Sequence, residues 1–301
     1  MWDAIDPRAD SRDRNPEDPR DLEQGDPRDV FASGLDLPRG MERERVFDDQ
    51  HRTFELRGSE VRTLATVGAF RVVPVDDLRD ERGRPADPWR GDLDRLRTSG
   101  LVRTVAPLSR SGHQRTSVIA LTQRGRALLE NHRRPGHDAR QTFYADIVKP
   151  RELAHDAQLF RAYVRAAERL RNEGARVRRV VLDYELKRQY QSFLQERNRD
   201  RADSDGRPTR SREEIRLWAD EHQLPIVDGR VQFPDFRIEY ERRDGRRDVE
   251  DVEVMTPHYR GAHAAAKGRA GFTRFRSGGG RVGGRSGGRT ADPRLAEEFL
   301  D

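Results

Sequence analysis

The chain contains no cysteine, which removes disulfides and thiolate metal sites from consideration. No apolar run approaches the roughly 20 residues of a membrane-spanning helix. The opening residues, MWDAIDPRAD, lack the basic and apolar regions of a signal peptide. The expectation is a soluble, cytoplasmic protein with no membrane partner. Apolar residues are scarce, at 33% against 38% charged, so long segments of the 301 residues are expected to be solvated, with room left for two modest domains and tails. Lysine occurs only at positions 149, 187 and 267, so 56 of the 59 basic residues are arginines. A high-GC bacterial genome accounts for that bias, and arginine also suits phosphate and guanine recognition. The isoelectric point near 9.8 is compatible with a nucleic-acid partner and does not establish one.

Residues 1–50 repeat Asp-Pro-Arg, at Asp6-Pro7-Arg8, Asp18-Pro19-Arg20 and Asp26-Pro27-Arg28. Proline at that density removes backbone donors and disfavours helix in the preceding residue. The segment reads as a disordered arm with a short ordered patch around Val30–Leu37. At the other end, SGGGRVGGRSGGRT opens a Gly/Arg-rich tail over 277–301 that has too little apolar content to fold. Such a tail serves as a flexible linker or holds nucleic acid loosely through its arginines.

Residues 53–133 read as a compact module. Ser59–Val67 is a short helix with Ser59 as its N-cap, Arg71–Val75 is extended, and Val75–Leu78 begins a second short helix. Pro88–Ser99 forms a third helix, closed by Gly100 in the left-handed cap position. Leu101–Leu108 and Ser117–Leu121 are two strands joined by a polar loop, and a last helix starts with Thr122 as its cap. Three helices, a two-stranded hairpin and a closing helix make a winged helix-turn-helix. The run GDLDRLRTSGLVRTV…SVIALTQRGRALLE resembles bacterial winged-helix regulators, in which a helix ends in Gly-Leu and the wing ends in Leu-Thr-x-x-Gly. The resemblance implies that the helix Trp89–Ser99 reads the groove with Arg90, Arg95 and Arg97. The loop Arg110–Arg115 is then the wing tip, with Arg110 and Arg115 against phosphate. Asp92 and Asp94 on the same helix would oppose a phosphate, and winged helices also serve as protein-contact modules.

Residues 134–149 read as a linker broken by Pro135-Gly136. Beyond it, Pro150 opens a long helix to about Asn172, with Leu153, Ala157, Phe160, Val164, Ala167 and Leu170 as its core stripe. His155-Asp156 near its start is either a surface pair or a proton-transfer or ligand pair. Val177–Leu182 is a buried strand, and Glu185–Arg199 and Arg212–His222 are helices. The stretch from Val231 to Phe275 then reads as strand, hairpin turn, strand and helix. Asp235 lies early in the first strand, Glu253 late in the second, and Lys267 in the helix. If Asp244-Gly245 alone forms a primed turn, Asp235 opposes Val254 and Glu253 points to the other face. If Arg243-Asp244-Gly245 is a three-residue loop with Gly245 left-handed, Asp235 stands across from Glu253 with Cβ atoms about 5 Å apart. Two facing carboxylates repel unless a cation or proton lies between them.

A Pro-Asp, a later strand carboxylate and a lysine resemble the magnesium-dependent nuclease core of the PD-(D/E)XK type. Residues 150–276 therefore resemble a nuclease-like domain, with Asp235 and Glu253 as metal ligands and Asp235, Glu253 and Lys267 as catalytic residues. The lysine position of that pattern, two residues past Glu253, is Met255. Lys267 replaces it if its helix crosses the strand ends, with His263 one turn earlier on the same side. The ELAHDAQLFRAYVRAA helix, the PDFRIEYE and DVEV strands and the AAAKGRAGF helix, placed behind a winged helix, look like the replication-relaxation family of plasmids and conjugative elements. The fold class expected is α+β: an N-terminal winged helix-turn-helix, a restriction-endonuclease-like α/β domain, and disordered termini. The resemblance implies a DNA-binding protein of a mobile genetic element, with double-stranded DNA and other replication or transfer proteins as partners. Its nuclease-like domain is either degenerate, with no cofactor, or a Mg2+-dependent endonuclease or nickase. The third reading is a protein-binding adaptor without DNA contact.

Overall fold

The computed structural model describes residues 26–79, 84, 91–105, 117–136, 140–146, 152–196, 210–255 and 267–276. These form a mixed α+β protein, and no helix among them is long and apolar enough to cross a membrane. The tail at 277–301, the wing-tip loop and the first 25 residues lie outside the described part.

The amino-terminal half begins earlier than its sequence suggests. From Asp26 on, the expected arm is ordered into α1 (Asp29–Ser33), β1 (Glu44–Phe47) and its antiparallel partner β2 (Thr53–Leu56). Three apolar side chains, Phe31, Leu35 and Leu37, anchor it by entering a core built from later parts of the chain. Phe31 packs edge-on to Phe70 at 5.4 Å and tilts against Tyr163 at 5.1 Å. Substituting Phe31→Ala in the full chain is expected to destabilise it by about 3–5 kcal/mol, as for a fully buried phenyl ring. A urea-denaturation midpoint unchanged by that substitution would show that the segment is the loose arm its proline content suggested.

Next come α2 (Gly58–Ala69), β3 (Val72–Pro74) and a 3-10 turn at Val75–Asp77. They are followed by α3 (Asp92–Thr98), β4 (Val102–Val105), β5 (Val118–Leu121) and α4 (Gln123–Asn131). The three strands form one antiparallel sheet in the order β3-β5-β4. The Gly-Leu and Leu-Thr-x-x-Gly pieces meet at one junction. Thr122 Oγ1 donates to the Gly100 and Leu101 carbonyls at 2.7 and 3.0 Å and accepts from Gly125 N at 3.1 Å. A Cβ on Gly125 would stand 2.2 Å from the Leu101 carbonyl oxygen, so only glycine lets the start of α4 lie this close. Ser59 is not the cap of α2. The helix starts at Gly58, and the Ser59 hydroxyl instead donates to the buried Asp92 carboxylate on α3.

The carboxy-terminal half is built on α5 (Leu153–Asn172), β6 (Arg176–Leu182), α6 (Asp183–Gln195) and α7 (Arg212–Glu221). A short β7–β8 pair (Ile226–Val227, Arg230–Val231) precedes the hairpin β9 (Phe236–Glu241) and β10 (Arg247–Met255), and β11 (Thr273–Arg276) closes the sheet. The sheet order is β11-β10-β9-β6, antiparallel except for β10 and β11, which run parallel. The buried face of α5 is wider than the expected stripe because it also hides Leu159, Ala162, Tyr163 and Ala166. One side lies on the four-stranded sheet, and Leu153 and Ala157 lie on β3 and β5. The α6–α7 insertion closes over its own cluster of Leu186, Tyr190, Phe193, Trp218 and Phe233.

Among the described residues, one buried cluster takes side chains from both halves, where a linker was expected over 134–149. Within its described residues, Phe143 is 1% exposed and Gln141 is 5% exposed. The Gln141 amide pairs with both backbone groups of Val180 in β6, at 2.9 and 3.0 Å. Tyr144 N donates to Gly68 O at 2.7 Å on the other side. Residues 140–146 form a strap across one core cluster that runs from Phe31 to Val254.

Candidate active site

The register of the β9–β10 hairpin sets how the two carboxylates face each other. Glu241 pairs with Arg247 and Phe236 with Val252, leaving Arg243, Asp244 and Gly245 as a three-residue loop. Arg242 N donates to Arg246 O at 2.8 Å, Gly245 N to Arg242 O at 2.9 Å, and Gly245 sits at φ 82°. Continued by one pair, this register brings Asp235 opposite Glu253. Asp235 is held there by its own polar atoms. Its carbonyl accepts from Asp183 N at 3.0 Å, and its Oδ2 accepts from Val254 N at 2.8 Å.

Glu253 is 2% exposed, at the end of β10 where its neighbours Val252 and Val254 are also buried. Lys267 reaches it from a helical turn at 267–269 that leads into β11. Its Nζ donates to both carboxylate oxygens at 2.6 Å each and lies 3.6 Å from Asp235 Oδ1. The ammonium therefore neutralises the pair that would otherwise repel. β11 runs parallel to β10, with Glu253 beside Arg274, so this turn is tied to the same strand end.

His155 joins from the first turn of α5, a helix remote in sequence. Its Nε2 is 3.2 Å from Asp235 Oδ2, and its Nδ1 is 3.6 Å from Asp156 Oδ1. Burial works against the charged imidazolium, but the Asp156 and Asp235 carboxylates outweigh it and raise the ring to about 10. Burial likewise favours a neutral Asp235, yet the His155 hydrogen bond and the Lys267 charge hold its carboxyl below the ordinary range. The raised histidine contributes stability fully below pH 6.5, and this is lost as pH climbs toward 10. The depressed aspartate contributes above pH 3.8 and loses its share as pH falls further, so the pair is intact at neutral pH. At that pH the ring donates from Nε2 to Asp235.

Among the described residues, no three His, Asp or Glu side chains converge on one ion position. Two facing carboxylates are nonetheless a donor set suited to magnesium, which keeps several waters and takes one or two carboxylates plus phosphate oxygens. In the present arrangement the Lys267 ammonium holds the position between them.

The expected duplex-reading residues are placed only in part. Arg90, Arg110 and Arg115 lie outside the described residues, as does His263. Arg95 and Arg97 are on α3, each partly exposed. Arg95 Nε is 3.5 Å from Glu60 Oε1, and Arg97 Nη2 donates to Asp94 Oδ1 at 2.7 Å. Asp92 does not oppose a phosphate, because it is 5% exposed and turned inward onto Ser59, Arg57 and Arg43. Met255 ends β10, and the cation is supplied by Lys267 from the following turn. The sequence offered one signal for His155, its carboxylate neighbour at a helix start, but nothing local showed that Asp235 would come to meet it.

No protein-family model matches the chain, and neither a curated protein nor a solved structure matches it.

Proposed function

We propose that the chain is a DNA-binding protein that cuts or nicks DNA in a metal-dependent reaction. A winged-helix module would hold the duplex beside a PD-(D/E)XK-type body. The observation that carries the chemistry is the three-residue loop at Arg243–Gly245, whose register lets Lys267 bridge Asp235 and Glu253. The order of helix, strand, helix, carboxylate-bearing hairpin and helical turn supports the nuclease-like reading of this half. Two helices flanking a 3-10 turn, then the β4–β5 hairpin and α4, support the winged-helix reading of the other.

Asp235 and Glu253 would hold a magnesium ion, which supplies charge stabilisation at phosphate and an activated water. Around it, the chain's own groups place charge. Lys267 offers an ammonium to a phosphate oxygen when released from Glu253, and His155 keeps Asp235 ionised and oriented. A second reading, a DNA-binding scaffold that has lost catalysis, is favoured by the tight Lys267–Glu253 pair and by Met255 in the motif's lysine position. On the sequence's likeness to the replication-relaxation family, either activity would serve plasmid or conjugative replication or transfer.

Duplex affinity should fall steeply with salt, because phosphate contacts release counterions. Reversing Arg95 and Arg97 to glutamate should weaken binding by about a hundredfold or more at low salt, since each reversal replaces an attraction with a repulsion. Fluorescence anisotropy with a labelled duplex measures both. Affinity unchanged by the double reversal would remove α3 from the interface. Supercoiled-plasmid nicking with magnesium, abolished by chelation, tests the chemistry.

A further inference from the structure

Arg71 follows the end of α2 and precedes β3 in left-handed backbone, at φ 62°. Left-handed backbone is uncommon for a non-glycine residue, though it often ends a helix, as it does here. Four described side chains lie close to the Arg71 guanidinium. The guanidinium is 3.7 Å from Asp156 and 3.4 Å from Asp183, and it lies 5.6 Å from the ring centres of both Tyr144 and Tyr184. The side chain is 20% exposed, so these contacts are only partly screened by water.

Each carboxylate sits one step from Asp235. Asp156 is the neighbour of His155, whose Nε2 meets Asp235 Oδ2 at 3.2 Å. Asp183 opens α6, and its backbone N–H donates to the Asp235 carbonyl at 3.0 Å. One cation from the amino-terminal half thus pairs with the first turns of α5 and α6, each of which is bonded to Asp235. The three-stranded sheet reinforces this hold. Val72 of β3 and Val118 and Ala120 of β5 pack on Leu153 and Ala157, which bracket His155-Asp156 on α5.

We infer that Arg71 is a positioning residue, which ties the amino-terminal module to the Asp235–Glu253–Lys267 site through Asp156 and Asp183. Its kinetic consequence rests on the nuclease reading above, and its structural consequence does not. Without the guanidinium, the two carboxylates lose a shared cation, the start of α5 shifts, and His155 loses its alignment on Asp235. Displacements well under an ångström at such a site are enough to slow a reaction without weakening substrate binding.

The test uses the full chain with Arg71→Ala and Arg71→Lys, and Arg103→Ala as a control, because Arg103 pairs with Asp146 on an exposed face. In plasmid nicking, Arg71→Ala should lower kcat by about tenfold or more while KM stays within about twofold, and Arg71→Lys should be intermediate. A second readout is independent of cleavage. The 15N-labelled imidazole signals of His155, assigned by their loss in His155→Gln, should move in both Arg71 variants and stay in place in the control. Lysine cannot serve as a full replacement, since one ammonium lacks the fork that faces both carboxylates. Wild-type kcat together with unmoved His155 signals in Arg71→Ala would overturn the inference. If Arg71→Ala does not fold, unmoved signals in Arg71→Lys overturn it equally. If the wild-type protein cleaves nothing, the nuclease reading falls, and the His155 signals alone decide the role of Arg71.

Discussion

Lys267→Met should cost the folded protein about 3–5 kcal/mol, the range for removing one partner of a buried ion pair. Glu253 is nearly inaccessible to solvent, and both its oxygens face the Lys267 ammonium. Methionine keeps the length of the side chain and removes the charge, so the loss is electrostatic and not a cavity. The double variant Glu253→Gln/Lys267→Met should recover most of that stability, because no net charge is then left inside. On this account, the four midpoints of a double-mutant cycle in chemical denaturation give a coupling of about 2 kcal/mol or more between the two positions. Additive effects would mean that the ammonium does not sit on Glu253, and the site would lose its cation.

Asp235→Asn should slow magnesium-dependent nicking by about a hundredfold or more, in line with the removal of one preorganised charged group from a reacting centre. Duplex affinity should change by less than about threefold, because Asp235 is remote in the chain from α3 and its removal alters transition-state stabilisation alone. Asparagine retains an oxygen to accept from Val254 N, which now donates to Oδ2 at 2.8 Å, so the strand end is preserved. His155 then loses the charge that helps hold it protonated, and its ring should titrate lower. Steady-state nicking and NMR titration of the same variant separate the two consequences. Nicking at the wild-type rate would move the reacting centre elsewhere on the chain.

Local chemistry made parts of this structure legible in advance. Thr122 caps α4, and Gly100 adopts the left-handed conformation at the end of α3, because both roles depend on a few neighbouring atoms. The six apolar positions of α5 identified the helix and one of its faces. The hairpin was legible only as a choice, since Asp244-Gly245 suits both a two-residue turn and the end of a three-residue loop. The backbone took the loop that gives Gly245 its positive φ alone and lets Arg242 pair with Arg246.

What remained hidden depends on distant partners. Proline and charge around 26–50 argued for solvent, yet a handful of apolar side chains suffice to order a segment against a core that the rest of the chain has already built. The strap at 140–146 carries a Pro-Gly break just before it, but its Gln141 amide completes the edge of β6. Asp92 read as an exposed helix charge, and only the approach of Arg43, Arg57 and Ser59 from upstream explains its burial. The same holds for His155, whose partner lies 80 residues away.

The most direct measurement is the conversion of supercoiled plasmid to nicked or linear form by the purified wild-type chain, with Mg2+, with Mn2+, and with chelator. Cleavage should require the divalent ion and disappear in Asp235→Asn. Intact plasmid under every metal condition, from a protein that still binds duplex, would contradict the nuclease reading and leave the facing carboxylates and their lysine as an element of the fold.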